Sequence, residues 1–310
     1  MTEVRRRPAS GRLGKTARQI WTDRVLYFFL LPAMLYFIFF RVWPMWNMRL
    51  AFFDYKARGP WVYAGLKWFE VIFSSGGFMT ILGNTLKISF MKYVLMFPLP
   101  VAFAVLLNEV RSSKLRKLVQ VSAYLPHFLS WVVIAGIFIN ILSPTGGVVN
   151  DLRAVFGLKP VDFMTQKDSI MGVLFASQMW QSMGWDSIIY IAAIIGINQS
   201  LYEAAEIDGA TRFQVVRYIV IPALVTPMLT TFILNLGFFM DAGFDQVFNF
   251  TNDAVNSRID ILDTYIYRLG LTQGQYEVST AVGLMKGVVG VILVLITHLV
   301  AKKTVGTGVW

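Results

Sequence analysis

Six stretches of this 310-residue chain are long and apolar enough to cross a bilayer, and nothing else in the sequence limits the fold so much. A hydrocarbon core about 30 Å thick takes roughly 20 residues of helix, and within it every backbone N–H and C=O has to be bonded inside the segment. The runs at 25–47, 81–107, 119–142, 169–195, 223–245 and 278–301 meet that length. The expected fold is all-α, a polytopic membrane protein with six transmembrane helices. Charged residues make up 15% of the chain, against about 25% in soluble domains, which excludes a soluble enzyme. The first run starts deep in the chain and lacks a small-residue cleavage site, so it reads as a span and not as a signal peptide. Residues 1–24 form a basic tail, and 25–310 form the membrane domain.

Charge placement sets the expected orientation, because Lys and Arg are retained on the cytoplasmic side. The tail carries Arg5, Arg6, Arg7, Arg12, Lys15, Arg18 and Arg24. The loop after span 2 has Arg111, Lys114, Arg116 and Lys117, the loop after span 4 has Arg212 and Arg217, and the C-terminus has Lys302 and Lys303. Both termini are expected inside, in a multi-pass membrane protein. The net charge of +10 is thereby assigned to topology and lipid, not to nucleic acid. In the outer loops Val148, Val149, Leu152, Val155 and Phe156 recur at helical spacing, as do Ile259, Leu262, Tyr265, Ile266 and Leu269. Each set predicts a short amphipathic helix at the outer surface, lying on the bilayer or docking an external protein.

Several chemistries are excluded. There is no Cys, and the two His residues, His127 and His298, lack partners at metal-ligand spacing. His127 is expected to bond a neighbouring helix. Gly14-Lys15-Thr16 follows Ala9 at phosphate-loop distance, but the strict loop needs Gly at position 9 and a preceding strand. Asp241 and Asp245 are four apart, yet no accompanying catalytic pattern supports an intramembrane hydrolase. Gly283 and Gly287 form a small-x-x-x-small pair suited to close helix packing.

The connection at 198–222 is the most informative loop. Ser200 with Glu203 and Thr211 with Gln214 have the spacing of two capping boxes, and Asp208-Gly209 supplies a helix stop and turn between them. Pro222 is expected to open span 5. Bundle helices need only about 2–8 residues to connect, so about 25 residues spent on a capped helix–turn–helix point to a docking element.

Glu203-Ala204-Ala205, then Gly209, then Ile219 and Ile221-Pro222 reproduce the spacing Glu-Ala-Ala, three residues, Gly, nine residues, Ile, one residue, Leu-Pro, with Ile221 replacing Leu. In this the chain resembles the membrane-spanning permease subunits of bacterial binding-protein-dependent ABC importers. Asn84-Thr85-Leu86, the run from Leu125 to Trp131, Gly147-Val148-Val149-Asn150 and the run from Asp263 to Arg268 are similar to the carbohydrate-uptake branch. Pro126-His127-Phe128-Leu129-Ser130-Trp131 is most similar to the subgroup for oligosaccharides and polysaccharide fragments.

The resemblance implies a type I importer permease fold and alternating access. Glu203, Ala204, Ala205, Asp208, Gly209 and Pro222 would belong to the element that couples the bundle to the ATPase. The implied partners are a second homologous permease, two cytosolic ATPase subunits and an external sugar-binding protein. ATP and magnesium would bind on those subunits and no cofactor on this chain. An ion-coupled secondary transporter is the competing class; such carriers show paired halves, whereas this loop has no counterpart after span 2.

Polar residues within spans are costly unless they face a cavity or a partner. Gln178, Gln181, Ser182 and Trp185 share one helical face, where amides can bond hydroxyls and an indole can stack on a pyranose, or bond a neighbouring helix instead. Asp186 reads as a paired or cavity-facing acid. Asn235, Phe239 and Asp241 extend the set in span 5 as a sugar path. Among Lys87, Lys92 and Lys286, Lys92 is too central to snorkel, which raises a carboxylate partner or an acidic substrate such as a uronic-acid fragment.

Overall fold

A computed structural model describes residues 21–304. The basic tail before Trp21 and the Ala9–Thr16 run lie outside the described residues. The described chain is helical apart from one small hairpin. Helix α1 spans Arg24–Phe52 and is followed by strands β1 (Phe53–Asp54) and β2 (Val62–Tyr63), which pair antiparallel with Phe53 opposite Tyr63. Helices α2 (Lys67–Ser74), α3 (Phe78–Asn108), α4 (Ser113–Phe128), α5 (Trp131–Ile141) and α6 (Val148–Val155) follow. Then come α7 (Ile170–Ile195), α8 (Gln199–Ile207), α9 (Arg212–Leu236), α10 (Phe244–Phe250), α11 (Asn256–Ile259), α12 (Leu262–Tyr267) and α13 (Tyr276–Thr304).

Among the described residues α1, α3, α9 and α13 are each long and apolar enough to cross a membrane unaided, and two bent pairs raise the number of spans to six. The third expected span is not one rod. It is α4 and α5 meeting at 109°. Leu129 and Ser130 are extended there, and the Ser130 hydroxyl accepts from the Val133 N–H at 3.4 Å, starting α5 afresh. Span 5 also differs from the expected 223–245. Its helix begins at Arg212 and ends at Leu236, and Asp241-Ala242-Gly243 forms a turn in which the Gly243 N–H bonds the Asp241 carboxylate at 3.2 Å. Pro222 thus lies inside a continuous helix and does not open it.

Three π turns interrupt the described helices, at Ile38–Val42, Met91–Leu95 and Val216–Val220, and a fourth, Arg268–Thr272, ends α12. The first three lie just before Pro44, Pro98 and Pro222. A proline inside a helix offers no N–H to the carbonyl four residues back and its ring crowds that carbonyl. A locally wider turn relieves both effects.

Three buried clusters hold the bundle. One joins Ile88 and Met91 of α3, Ala135 of α5, Val173 and Leu174 of α7, and Val247 and Phe250 of α10. A second joins the end of α1 and α2 to α3, α12 and α13 through Ala51, Ile72, Phe78, Leu262 and Ala281. The third, Val101, Ala104, Tyr190, Ile194, Val220 and Leu224, packs α3, α7 and α9 beside the 198–222 connection. By contrast, no residue of Arg24–Phe37 is buried, so its apolar side chains face hydrocarbon or a partner.

The first outer set behaves as expected. Helix α6 forms with Val148, Leu152, Val155 and Phe156 exposed, while Asn150 turns inward and donates to the Leu142, Ser143 and Val161 carbonyls. The second set is corrected. The chain breaks at Asp260-Ile261, and Ile259, Leu262 and Leu269 are core residues, not a free apolar face. Asn84 in α3 donates to the Ser257 and Asp260 carbonyls, and the Thr85 hydroxyl accepts from the Leu262 N–H. Arg268 then pairs with Asp260 at 2.6 Å. A Cβ added at Gly283 would only just reach Ile266, at 4.0 Å, and one at Gly287 would meet nothing, so the expected close approach of a second helix at this pair is absent among the described residues.

Lys286 does not snorkel; it pairs with Asp263 of α12, both side chains about one-fifth exposed. Burial pushes the Asp263 carboxyl above the ordinary carboxylate range, while the Lys286 ammonium opposes the shift. Lys286→Met leaves this acid unpaired and is expected to cost about 3 kcal/mol at neutral pH, since breaking a largely buried pair strands a charge. Folding then favours the protonated acid more strongly, so the folded-state value moves further above the unfolded one and stability falls as pH rises from about 4 to 7. Unfolding midpoints of the detergent-solubilised variant across that range check the prediction.

Candidate functional site

The coupling-type connection is built as two capped helices. Helix α8 starts two residues earlier than a Ser200 cap would place it, because Asn198 is extended and its side chain accepts from the Ser200 N–H at 3.0 Å. The expected Ser200–Glu203 box therefore does not form. The second box does: Thr211 N–H meets the Gln214 side chain at 2.7 Å and Gln214 N–H meets the Thr211 hydroxyl at 3.4 Å. Between them α8 closes in a Schellman turn. Ala210 N–H bonds the Ala205 carbonyl at 2.9 Å, Gly209 N–H bonds the Glu206 carbonyl at 3.1 Å, and Gly209 has φ +70°. An L side chain rarely adopts that conformation.

Helix α8 lies at 68° to α7. Glu203, Ala204, Asp208 and Gly209 are exposed, Ala205 is half-buried, and Pro222 sits exposed on α9. Ile207 and Phe213 are also exposed, at 86% and 73%. Tyr202 packs inward against the third cluster, and Arg212 pairs with Glu109 at the end of α3 at 3.2 Å. The element is thus anchored on one side and presents apolar side chains on the other.

Above the third cluster a cavity of about 820 Å³ opens among α3, α7 and α9. Gln178, Gln181, Ser182, Trp185 and Asp186 line it from α7, and Asn235 lines it from α9. Asp241 reaches it from the turn after α9 and not from a helix. Phe239 does not line it; it lies past the helix end and tilts against Tyr93 with ring centroids 6.1 Å apart. Asp245 is outside the lining too, in the first turn of α10, so Asp241 and Asp245 do not face one space.

Lys92 lines the cavity; of the two alternatives raised for it, a carboxylate partner or an acidic substrate, no carboxylate among the described residues forms an ion pair with it, although Asp241 lies near enough to attract its charge. Its ammonium donates to the Ala242 carbonyl at 2.7 Å. Gly243, at φ +87°, leaves the room this requires, since a Cβ there would run into the Lys92 nitrogen. Lys87 is exposed on α3.

The lining residues missed by helical phase include Tyr93, Phe97, Trp131, Tyr190 and Thr231. The π turn at Met91–Leu95 rotates Tyr93 and Phe97 out of ideal phase, and the prolines at 98 and 100 were the available signal. His127 also departs from expectation. It stacks parallel on Trp185 with centroids 4.3 Å apart, and its Nδ1 is buried without a hydrogen bond.

Comparison with known proteins agrees with this architecture. Protein LplB of Bacillus subtilis (strain 168) is 37% identical over 286 residues, covering 91% of this chain and 89% of that protein. The polygalacturonan/rhamnogalacturonan transport system permease protein YteP of the same organism is 37% identical over 293 residues, covering 93% and 91%. A crystal structure of a bacterial ABC transporter involved in the import of the acidic polysaccharide alginate superposes with a TM-score of 0.87 at 36% identity, covering 94% of this chain and 99% of that one. Residues 96–306 match the family model for binding-protein-dependent transport system inner membrane components. With most of its length accounted for in this way, the chain belongs to that family of ABC importer permeases.

Proposed function

We propose that this chain is the membrane half-pore of an ATP-driven oligosaccharide importer, with α8 and its Gly209 turn as the coupling element. The observation that carries the reading is the capped, exposed α8–α9 corner set at an angle to the bundle, with Ile207 and Phe213 exposed beside it. A groove on a cytosolic ATPase subunit is the fitting receptor. Closure of two such subunits on ATP would carry α8 with them and turn the bundle outward; hydrolysis would reset it. ATP and magnesium would reside on those subunits, and both termini of this chain would lie on their side of the membrane.

A second homologous permease would complete the pore, and an external binding protein would deliver the sugar. Support for that delivery comes from an alginate importer solved with a periplasmic protein bound to an alginate pentasaccharide, 36% identical to this chain. Cavity amides and hydroxyls from Gln178, Gln181, Ser182 and Asn235 suit a glycan. These residues, with Trp185, Asp186 and Asp241, form this chain's share of the sugar path.

An acidic glycan has one specific observation in its favour. Lys92 faces the cavity and spends one of its three donors on Ala242, leaving two for a uronate carboxylate. Lys92→Gln is then expected to lower uptake of uronate oligosaccharides about tenfold relative to neutral ones in a paired transport assay. Equal retention of both overturns the acidic reading. The wider proposal is tested by purifying the chain from its native membrane, identifying what copurifies, and measuring which oligosaccharide stimulates ATP hydrolysis.

A further inference from the structure

The bend between α4 and α5 puts three rings together at the cavity wall. Besides the parallel His127–Trp185 stack, Phe128 meets Trp185 edge-on at 5.4 Å and 85°. Phe128 is also only 5.8 Å from His127. With His127 over one indole face, a ring that close to both partners has to sit beside the stack, since a ring over the far face would be several ångströms more distant from the imidazole. The far face of Trp185 is therefore uncovered by either ring. Trp185 lines the cavity and is 39% exposed, whereas His127 does not line it.

From this we infer that the Pro126–Ser130 bend is a device for holding Trp185, with His127 as its backing and the free indole face as a stacking platform for one pyranose ring of the transported glycan. The inference rests on the sugar-path reading above and assigns its specificity to a ring that never touches substrate. Sugars present C–H groups on a ring face, and an indole is the aromatic side chain with the largest π surface to receive them. Gln178, Gln181 and Ser182 lie one and two turns before Trp185 on the same wall and can take the equatorial hydroxyls. His127 is a positioning residue. Because its Nδ1 makes no hydrogen bond, what it supplies to Trp185 is ring area, not a donor.

That distinction makes the test decisive. The assembled transporter is reconstituted with saturating loaded binding protein, and sugar moved per ATP hydrolysed is measured. Trp185→Ala is expected to lower this ratio at least tenfold and Trp185→Phe less. His127→Ala is expected to lower it three- to tenfold, and His127→Phe, which restores a flat ring, to recover most of it, with correct assembly of every variant verified by size-exclusion chromatography. A His127→Phe variant as defective as His127→Ala overturns the inference, because imidazole chemistry would then be what matters. An unchanged ratio in His127→Ala or Trp185→Ala overturns it as well. Failure of the unaltered assembly to move any oligosaccharide would instead strike the functional reading on which it rests.

Discussion

Gly209→Val abolishes coupled transport while leaving the protein in the membrane: uptake falls to background, and ATP hydrolysis by the assembly no longer responds to the loaded binding protein. The reasoning is conformational. Gly209 has φ +70°, and a Cβ built on it meets nothing within 4 Å, so the substitution is not a clash. Its cost is left-handed backbone strain of about 1–2 kcal/mol per residue, small beside the roughly 5–15 kcal/mol that keeps a domain folded. The turn relieves the strain by changing angle, and with it changes the path from Ala205 through Thr211 that sets α8 against α9. Asn visits the left-handed region far more readily, so Gly209→Asn is expected to keep most of the coupling. Normal stimulation in Gly209→Val would refute the role given to this turn.

Gly184→Val produces the opposite pattern, a protein that fails before it reaches transport. A Cβ at Gly184 would run into the carbonyl of Ala123, so α7 and α4 touch backbone to backbone there. Overpacking of this kind costs typically 1–3 kcal/mol and more where backbone has to move. The crossing also lies one residue from Trp185, so separation of the helices disturbs the ring stack as well. Folded yield after detergent extraction is expected to fall several-fold, with a lower unfolding midpoint in what remains. Ala123→Gly does not rescue it, because it removes the methyl group but leaves the nearer obstacle, the carbonyl. Rescue by Ala123→Gly would show that side chains alone set the spacing.

Much of the site could be read from the sequence where the helix that carries it is regular. Gln178, Gln181, Ser182 and Trp185 fall on one face by simple periodicity and do line one cavity, because Ile170–Asp186 contains neither proline nor π turn. The capped α8–α9 corner was legible for a different reason: its caps are local and need only a few neighbouring residues. One detail still went astray, as Asn198 outcompeted Ser200 two positions earlier.

What periodicity could not show was where a span stops being a helix. An apolar run of the right length says nothing about the break at Leu129-Ser130, which depends on a side-chain cap, or about the turn that delivers Asp241 in place of Phe239. The pairing of Lys286 with Asp263 and the contacts of Asn84 with residues 257–260 join positions far apart in the chain, and sequence spacing is silent on those.

The π turns have a bearing on how chains of this kind can change length. Each holds one residue more than an α turn, so losing a residue there would return the helix to ordinary pitch and keep both flanking segments in register. The same loss elsewhere in an α-helix would swing every later side chain by about 100° around the axis, taking cavity-facing groups into lipid. Single-residue gaps between relatives should therefore collect at Ile38–Val42, Met91–Leu95 and Val216–Val220, where the extra residue is stored, and be rare between Ile170 and Asp186, where none is held in reserve.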